Sequence, residues 1–336
     1  MNSKNLMVIF GTLLSIVLLI IVFSRLDWSA FLATLKTVNL SGILLAGIMI
    51  MVNIALRSLR WTLVARMPLA NLKHFWQAVN IGYLGNMIYP ARAGEVLKVV
   101  AIHHFTPLVW GRAISTAIID RMLDMIVVGI FTLLVLWIHA HRIDPMIGKG
   151  VMGVFGITVI GLILLIILAD RLHAYIQRWT VQGKWSKRLQ DGLLHAFEGI
   201  QAFRHTRNLV IVLFLTISMF LVDYFWMWWM TDAFGWDLPF DAGLTIGVFL
   251  LLSISIPSAP GYVGIYQVAC IFALGLYGID ETLAVAYSIV LQLLTFAVMG
   301  IQGLLVTLYC GFNISQERDP ALSQIQEINN TEVTGK

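Results

Sequence analysis

The chain is poor in charge and in cysteine, and each shortage excludes a class of protein. Only 12% of its 336 residues are charged and 59% are hydrophobic, whereas an ordinary soluble domain has about 25% charged residues. Its two cysteines, Cys270 and Cys310, both lie in apolar sequence, so we expect neither a disulfide framework nor a cysteine metal site. The net charge of +4 is modest, and the sequence has neither a pattern typical of nucleic-acid binding nor a nucleotide-binding motif. The composition therefore indicates an integral membrane protein.

Apolar runs long enough to cross a membrane recur along the chain. A helix needs about 20 apolar residues to cross a hydrocarbon core of ~30 Å. The first run follows Lys4 and lies where a signal peptide would, but no A-x-A-like cleavage site follows it, so we expect a retained span. The predicted full spans are 6–23, 40–56, 113–138, 146–169, 208–230 and 283–311.

Two further apolar segments, 74–106 and 241–276, are interrupted in the same way. Proline and glycine four residues apart break each of them, at Pro90 and Gly94 and then, about 170 residues later, at Pro260 and Gly264. Irregular backbone at membrane depth is tolerated only where it is buried in protein or lines a cavity. We therefore predict two re-entrant helical hairpins. The alternative is ten ordinary spans with incidental prolines.

The distribution of charge predicts the orientation. Segments 57–73 and 170–207 are rich in Lys and Arg, whereas 231–242 and 277–282 have acidic residues and no Lys or Arg. Basic segments stay on the cytoplasmic side. An amino terminus in the cytoplasm satisfies all four segments only if both broken segments are re-entrant.

The spans then divide into two halves, 1–140 and 141–312, of one membrane domain, 1–312. Because each half has an odd number of crossings, the second lies upside down, as in many secondary transporters. The predicted fold class is an all-α polytopic membrane protein with six full spans and two re-entrant hairpins in an inverted repeat. The polar tail 313–336 is expected to be disordered, and both termini are expected in the cytoplasm.

One stretch of the long basic loop, 185–203, has apolar residues at steps of three or four. This periodicity predicts an amphipathic helix on the cytoplasmic leaflet. Anionic inner-leaflet lipid is one candidate partner for it, and a simple role in setting the topology is the alternative.

The first hairpin carries charge where charge is costly unless it is paired or hydrated. Arg92, Glu95 and Lys98 are spaced by three residues, so they share one side of a helix that starts after Pro90. Gly94 permits close approach of another backbone or a ligand. The helix amino terminus and a guanidinium together suit a phosphate. The alternative is that Arg92 and Glu95 pair only with each other or with another span.

Two more groups of charges lie within predicted spans. Asp223 lies mid-span with no identifiable partner and is compatible with a neutral, a paired or a proton-carrying role. In the other group, Arg121 can pair along the helix, or a member can reach Glu95 or Arg92, so a structural ion network is favoured over ligand contact. This ion-network or coupling group comprises Asp120, Arg121, Asp124 and Asp223.

The second hairpin has no charge, so its backbone amides and neutral side chains must provide any binding groups. A helix that begins at Gly261 would direct another positive dipole end towards the first hairpin. Together the two hairpins supply the predicted substrate-binding residues, which are Asn86, Pro90, Arg92, Gly94, Glu95, Lys98, Pro260, Gly261, Tyr262, Gly264 and Gln267.

Three motifs, taken in order, resemble the transmembrane domain of the lysylphosphatidylglycerol synthase family. They are N-x-x-x-PARAGE at 86–95, DRMLD at 120–124 and PSAPGYVG at 257–264. The resemblance extends to about residue 312 and implies a flippase-like domain, which in the family's bifunctional members is associated with moving an aminoacylated phospholipid to the outer leaflet. The soluble synthase domain of the bifunctional members is not expected here. Gln267 departs from a glutamate that members often have near this point, and links of some relatives to hopanoid or glycolipid pathways leave the headgroup open.

The sequence therefore favours a lipid transporter in the inner membrane of a bacterium or archaeon, without an enzymatic activity, cofactor or metal. Membrane lipids are its expected partners. One alternative is a membrane-embedded enzyme on a lipid-linked substrate. In that case His103 and His104, at the end of the first hairpin, are candidates for a catalytic histidine, and Asp120 and Asp124 are candidate metal ligands. Another alternative is a scaffold of an envelope complex that transports nothing.

Overall fold

The computed structural model of the chain describes residues 20, 24, 27–89, 93–142, 145–178, 190, 194, 209–254 and 260–312. Within these residues the secondary structure is helical, with no strand. The α-helices are α1 Trp28–Thr37, α2 Leu40–Val64, α3 Leu72–Ile88, α4 Gly94–Phe105, α5 Trp110–Ile138, α6 Pro145–Ile167, α7 Ala169–Gln177, α8 Leu209–Ala233, α9 Asp241–Ile254, α10 Ile265–Gly275 and α11 Glu281–Cys310.

Four of these helices, α2, α5, α8 and α11, are long and apolar enough to cross a membrane. They coincide with four of the predicted spans, and α6 coincides with a fifth, 146–169. The remaining predicted span, 6–23, lies outside the described residues apart from Ile20. The predicted surface helix 185–203, apart from Gln190 and Leu194, and the tail 313–336 also lie outside them.

The prediction that the second span ends at residue 56 is wrong. Helix α2 continues for two further turns to Val64, because its arginines turn inward to buried carboxylates while Trp61 and its neighbours pack in the core. Arg57 and Arg60 are therefore helical residues inside the protein. They do not belong to a basic loop. Of the basic residues in segment 57–73, only Arg66 and Lys73 lie in or near a connection between helices.

The first broken segment folds into two antiparallel helices, α3 and α4. The rings of His74 and Phe105 stack at the open end, 6.2 Å apart, and Gly85 lies against Gly94 near the connection. The second helix begins at Gly94, four residues after Pro90. Re-entry into a membrane stays a prediction.

The second broken segment has the same form, with α9 and α10 antiparallel. The Tyr277 hydroxyl donates to Asp241 Oδ2 over 2.7 Å at the open end. A 3-10 turn, Pro260–Tyr262, precedes α10, which begins at Ile265 rather than at Gly261 as expected. Gly261 has a φ of 76° and Gly264 a φ of 86°, and these left-handed conformations delay the start of the helix.

The helices of the first half recur in order in the second half. Helices α2, α3, α4 and α5 are followed by α8, α9, α10 and α11, each starting about 170 residues later, as at Leu40 and Leu209 or at Gly94 and Ile265. Lengths agree as well, since α2 and α8 each have 25 residues.

The two copies of the first repeated helix, α2 and α8, pack antiparallel. At one end Asn39 N–H donates to the Ala233 carbonyl over 2.9 Å, and at the other Arg60 Nη1 donates to Thr216 Oγ1 over 3.4 Å. Each hairpin also packs on a helix of the other half, since α3 contacts α11 and α9 contacts α5. This is the relation expected of inverted halves, and it brings both hairpins to one place.

Candidate functional site: a charged cavity between two helical hairpins

A cavity of about 220 Å³ lies between the two hairpins. The first hairpin contributes Tyr83, Asn86 and Glu95, and the second contributes Tyr262 and Tyr266. Helices α2, α5, α8 and α11 complete the polar part of the lining with Asn53, Arg57, Arg121, Asp223 and Thr295. The apolar part comprises Met87, Trp226, Met227, Leu250, Leu251, Ile254, Phe296 and Met299. Charged groups and apolar side chains therefore line one shared space.

Arg57 and Asp223 form the part of the lining that joins the halves. Arg57 Nη2 lies 3.0 Å from Asp223 Oδ2, and Arg57 Nε donates to Asn53 Oδ1 over 2.6 Å. Asn53 in turn donates to the Met219 carbonyl over 2.5 Å. The guanidinium also lies over the Phe220 ring, 5.6 Å from its centroid. This set of contacts fixes Arg57 at the cavity wall.

Arg60 lies one turn further along α2 and is completely buried. Its two terminal nitrogens lie 2.7 Å from Asp120 Oδ1 and 2.7 Å from Asp124 Oδ1. Lys98 Nζ lies 3.0 Å from the other oxygen of Asp120 and 4.3 Å from the centroid of the Trp61 ring. A buried charge is tolerated when it is paired and hydrogen-bonded, and each member of this set has an oppositely charged partner.

Arg121 links this buried set to the cavity. It donates to both carboxylate oxygens of Glu95, and its Nη1 lies 3.3 Å from Asp124 Oδ2. The pair Arg121–Glu95 is the more exposed one, with side chains 39% and 31% accessible. A ligand that enters the cavity can therefore contact Arg121 and Glu95, because part of each side chain is accessible.

Together the charged residues of the cavity wall and the buried set behind it form a group of eight, which we call the charge cluster. Its cations are Arg57, Arg60, Lys98 and Arg121, and its anions are Glu95, Asp120, Asp124 and Asp223. Four charges of each sign balance, which lowers the cost of placing so many ionisable groups between apolar helices.

Glycine contacts between α3 and α4 position Glu95. A Cβ atom on Gly94 would overlap the Gly82 carbonyl oxygen and lie 2.6 Å from Asn86 N. Gly82 leaves similarly little room, since its Cβ would lie 2.9 Å from Lys98 Cβ. The helices therefore touch backbone to backbone, as small residues allow in membrane proteins, and this close contact sets Glu95 and Lys98 against α5.

A chain of hydrogen bonds fixes the turn of the second hairpin. Gly264 N–H donates to Gln267 Oε1 over 2.7 Å, and Gln267 Nε2 donates to Gln292 Oε1 over 2.8 Å. Gln292 Nε2 then donates to the Gly261 carbonyl over 2.7 Å. Two buried amides on α10 and α11 thus hold both glycines of the turn, and Tyr262 between them lines the cavity.

The structure brings some of the predicted site residues to the cavity and not others. None of a second group of predicted residues lines this cavity, and they lie behind its lining as supporting groups: Gly94, Lys98, Asp120, Asp124, Gly261, Gly264 and Gln267. Pro90 and Arg92 lie outside the described residues, and Pro260 is described only as part of the turn. The predicted residues in the lining are Asn86, Glu95, Tyr262, Arg121 and Asp223.

Arg57 and Tyr83 are lining residues that the sequence interpretation missed. Arg57 was expected in a loop, although Leu56, Leu59 and Trp61 continue the apolar run around it. That continued run was the available signal for a longer helix.

The contacts of the aspartates oppose their use as metal ligands. Asp120 and Asp124 are both engaged by Arg60, and in the described part of the chain no three His, Cys, Asp or Glu side chains are grouped as a metal site would require. His103 Nδ1 lies 2.7 Å from the Leu108 carbonyl and its ring contacts Trp110.

Fold and site together define a multi-pass helical membrane protein with a cavity between two helical hairpins. The model of the lysylphosphatidylglycerol synthase transmembrane region matches residues 8–303, and the chain belongs to this family.

Two curated relatives extend the likeness over nearly the whole chain. A UPF0104 membrane protein from Methanothermobacter thermautotrophicus is 20% identical over 313 residues, which cover 88% of this chain and 91% of the relative. A second UPF0104 membrane protein, from Methanocaldococcus jannaschii, is 18% identical over 322 residues, or 91% of this chain and 96% of the relative. No solved structure matches the chain.

Proposed function

We propose that the protein moves a polar-headgroup lipid between the leaflets of the cell membrane through the cavity between its hairpins. The observation that carries this proposal is the composition of the cavity wall, where Arg57, Arg121, Glu95 and Asp223 face apolar residues such as Phe296 across one space. A lipid has the same two characters, a polar headgroup and hydrocarbon chains.

The volume of the cavity fits a headgroup and not a whole lipid. The cavity has a volume of about 220 Å³, which a headgroup can occupy. Two acyl chains exceed this space, so they would stay in the bilayer while the headgroup enters.

Contacts between the halves suggest how access would alternate. The antiparallel pair α2 and α8 forms the centre, and each hairpin packs on the last helix of the opposite half. Rocking of one half against the other about this centre would expose the cavity to each leaflet in turn, as in other inverted-repeat transporters. The Arg57–Asp223 pair lies across the boundary of the halves.

Different lining residues would recognise different parts of the headgroup. Arg57 and Arg121 would hold the headgroup phosphate through charge-assisted hydrogen bonds. Asn86, Tyr83 and Tyr262 would add neutral hydrogen bonds, and the supporting contacts behind them would keep this constellation in place.

Leaflet exchange in liposomes tests the proposal. Purified protein would be reconstituted with phospholipids labelled on an acyl chain, and loss of label signal after addition of a membrane-impermeant quencher would report exchange. We expect faster exchange than in protein-free vesicles, reduced several-fold by Arg121→Gln. Arg178→Gln, at an exposed position just after α7, is the matched control and should exchange at the native rate.

The same vesicles distinguish the alternatives. A chemically altered lipid, detected by mass spectrometry, would indicate an enzyme. Unaltered lipid with exchange no faster than in protein-free vesicles would contradict transport and favour a scaffold.

A further inference from the structure

We infer that the transported headgroup is dipolar, with one phosphate and one amine and no net charge, as in phosphatidylethanolamine. This inference rests on the proposed function and narrows it to a substrate class. It is argued from the arrangement of charges in and behind the cavity wall.

The lining presents two ion pairs and not a single charged patch. Arg121 contacts Glu95, and Arg57 contacts Asp223 with 3.0 Å between nitrogen and oxygen. All four side chains are partly accessible, the second pair at 15% and 19%. The wall therefore offers two positive and two negative groups, each already next to its opposite.

The described charges behind the wall carry no net charge in sum. Arg60 contacts Asp120 and Asp124, and Lys98 contacts Asp120. Two cations therefore face two anions within this buried set. Among the residues that the structure describes, the charges in and behind the wall are accordingly paired and have no excess of one sign.

A dipolar headgroup can exchange partners with such pairs. Its phosphate would take a guanidinium and its amine would take the carboxylate released, so that every charge keeps a partner in a space of low dielectric. A headgroup with only a negative charge would separate a pair and leave Glu95 or Asp223 unpaired, and an unpaired charge in a poorly hydrated site is strongly unfavourable. Specificity would then come from the cost of the wrong charge pattern.

The second hairpin cannot compensate for a net charge. Its described lining residues are Leu250, Leu251, Ile254, Tyr262 and Tyr266, none of which is charged at neutral pH, and the sequence of its turn, 255–264, has no charged residue. Discrimination by charge is therefore assigned to Arg57, Glu95, Arg121 and Asp223.

Exchange of three labelled lipids would test the inference. The probes are phosphatidylethanolamine, phosphatidylglycerol and an uncharged glucosyl diacylglycerol, all labelled on the same acyl chain and studied in the same vesicles. We expect native protein to exchange phosphatidylethanolamine about tenfold faster than either of the others, equivalent to ~1.4 kcal/mol.

Carboxylate variants provide the second readout. Glu95→Gln and Asp223→Asn should each lower the ratio of phosphatidylethanolamine to phosphatidylglycerol exchange several-fold. Without the carboxylate, the guanidinium can bind the phosphate of a headgroup that has no amine. Glu281→Gln and Asp232→Asn are matched controls at exposed positions outside the cavity and should keep the native ratio.

The outcomes separate the inference from the function on which it rests. Phosphatidylglycerol or the sugar lipid exchanging as fast as phosphatidylethanolamine through native protein would overturn the dipolar headgroup and leave transport standing. Folded carboxylate variants with the native ratio would also overturn it. If no lipid exchanges above the protein-free rate, the proposed function itself fails. The comparison of the three lipids with native protein tests the inference even if the variants do not fold.

Discussion

Arg57 Nη2 lies 3.0 Å from Asp223 Oδ2 and joins the corresponding helices α2 and α8 of the two halves. Asn53 positions the same guanidinium from one turn earlier on α2. The two helices therefore meet through a polar contact at the cavity wall. This contact serves both the stability of the fold and the electrostatics of the cavity.

Truncation of Arg57 should destabilise the protein strongly. Arg57→Ala leaves Asp223 without its nearest cation, and removal of one partner of a buried pair costs ~3 kcal/mol or more. We expect a loss of that size in the free energy of unfolding, measured by titration of the protein in mixed micelles with a denaturing detergent. Arg178→Ala, at an exposed position, should change the same quantity by less than about 0.5 kcal/mol.

Removal of both charges should restore much of this loss. In Arg57→Met/Asp223→Leu no charge is left unpaired, so the double variant should be more stable than Arg57→Ala by over ~1 kcal/mol. A double variant no more stable than the single one would show that Asp223 is not the group stranded by loss of Arg57.

Several contacts could be predicted from the sequence because they join close neighbours along one helix or residues of consecutive helices. Arg121 contacts Asp124 at a spacing of three residues, and the broken segments fold back as pairs of helices. The contact between Arg121 and Glu95 was one of the predicted options. The close approach at Gly94 followed from the absence of a side chain.

Contacts between distant residues could not be predicted in the same way. The partner of Asp223 lies 166 residues away, and a single sequence gives no measure of which arginine meets it. The positive-inside rule further misplaced Arg57, because it counts a buried, paired arginine as a loop charge. The turn of the second hairpin depends similarly on Gln292, 31 residues from Gly261.

Gly94→Ala should weaken the first hairpin. Its Cβ would overlap the Gly82 carbonyl and lie 2.6 Å from Asn86 N, so α4 must move away from α3 at a cost of ~1–3 kcal/mol. The midpoint of thermal unfolding in detergent should fall. Gly150→Ala on α6 meets no atom within 4 Å and should leave the midpoint unchanged or raise it, since alanine favours a helix by ~0.5–1 kcal/mol. Equal effects of the two changes would contradict this close packing.

The glutamine pair of the second hairpin should act as a unit. Gln292→Leu removes the hydrogen-bond partners of Gln267 Nε2 and of the Gly261 carbonyl, which costs ~1–3 kcal/mol per unsatisfied group. In a double-mutant cycle the effects of Gln267→Leu and Gln292→Leu on unfolding should be less than additive by ~1 kcal/mol, because both break the chain that holds Gly264 and Gly261. Strictly additive effects would mean that the two amides act independently.

A histidine at the end of α5 should make the stability of the protein depend on pH. His139 Nε2 lies 3.1 Å from Thr245 Oγ1 and 3.0 Å from the Tyr277 hydroxyl, so it links α5 of the first half to the second hairpin. Burial lowers the pKa of His139, which the nearby Asp241 opposes and Arg142 reinforces. The unfolded chain therefore takes up this proton at a higher pH than the folded chain, and stability falls as pH drops through the ordinary histidine pKa of about 6.5.

The pH dependence can be assigned to His139 by comparison of variants. Between pH 7.5 and 5.5 the unfolding midpoint should fall further for native protein than for His139→Gln, whose amide can hydrogen-bond to the same hydroxyls but cannot gain a proton. His141→Gln, at an exposed position two residues on, should keep the native pH dependence. Since Asp241 accepts from Tyr277 over 2.7 Å, Asp241→Asn should enlarge the fall of the midpoint by removing the charge that favours imidazolium. A smaller fall in Asp241→Asn, or the native dependence in His139→Gln, would show that the pH effect arises elsewhere.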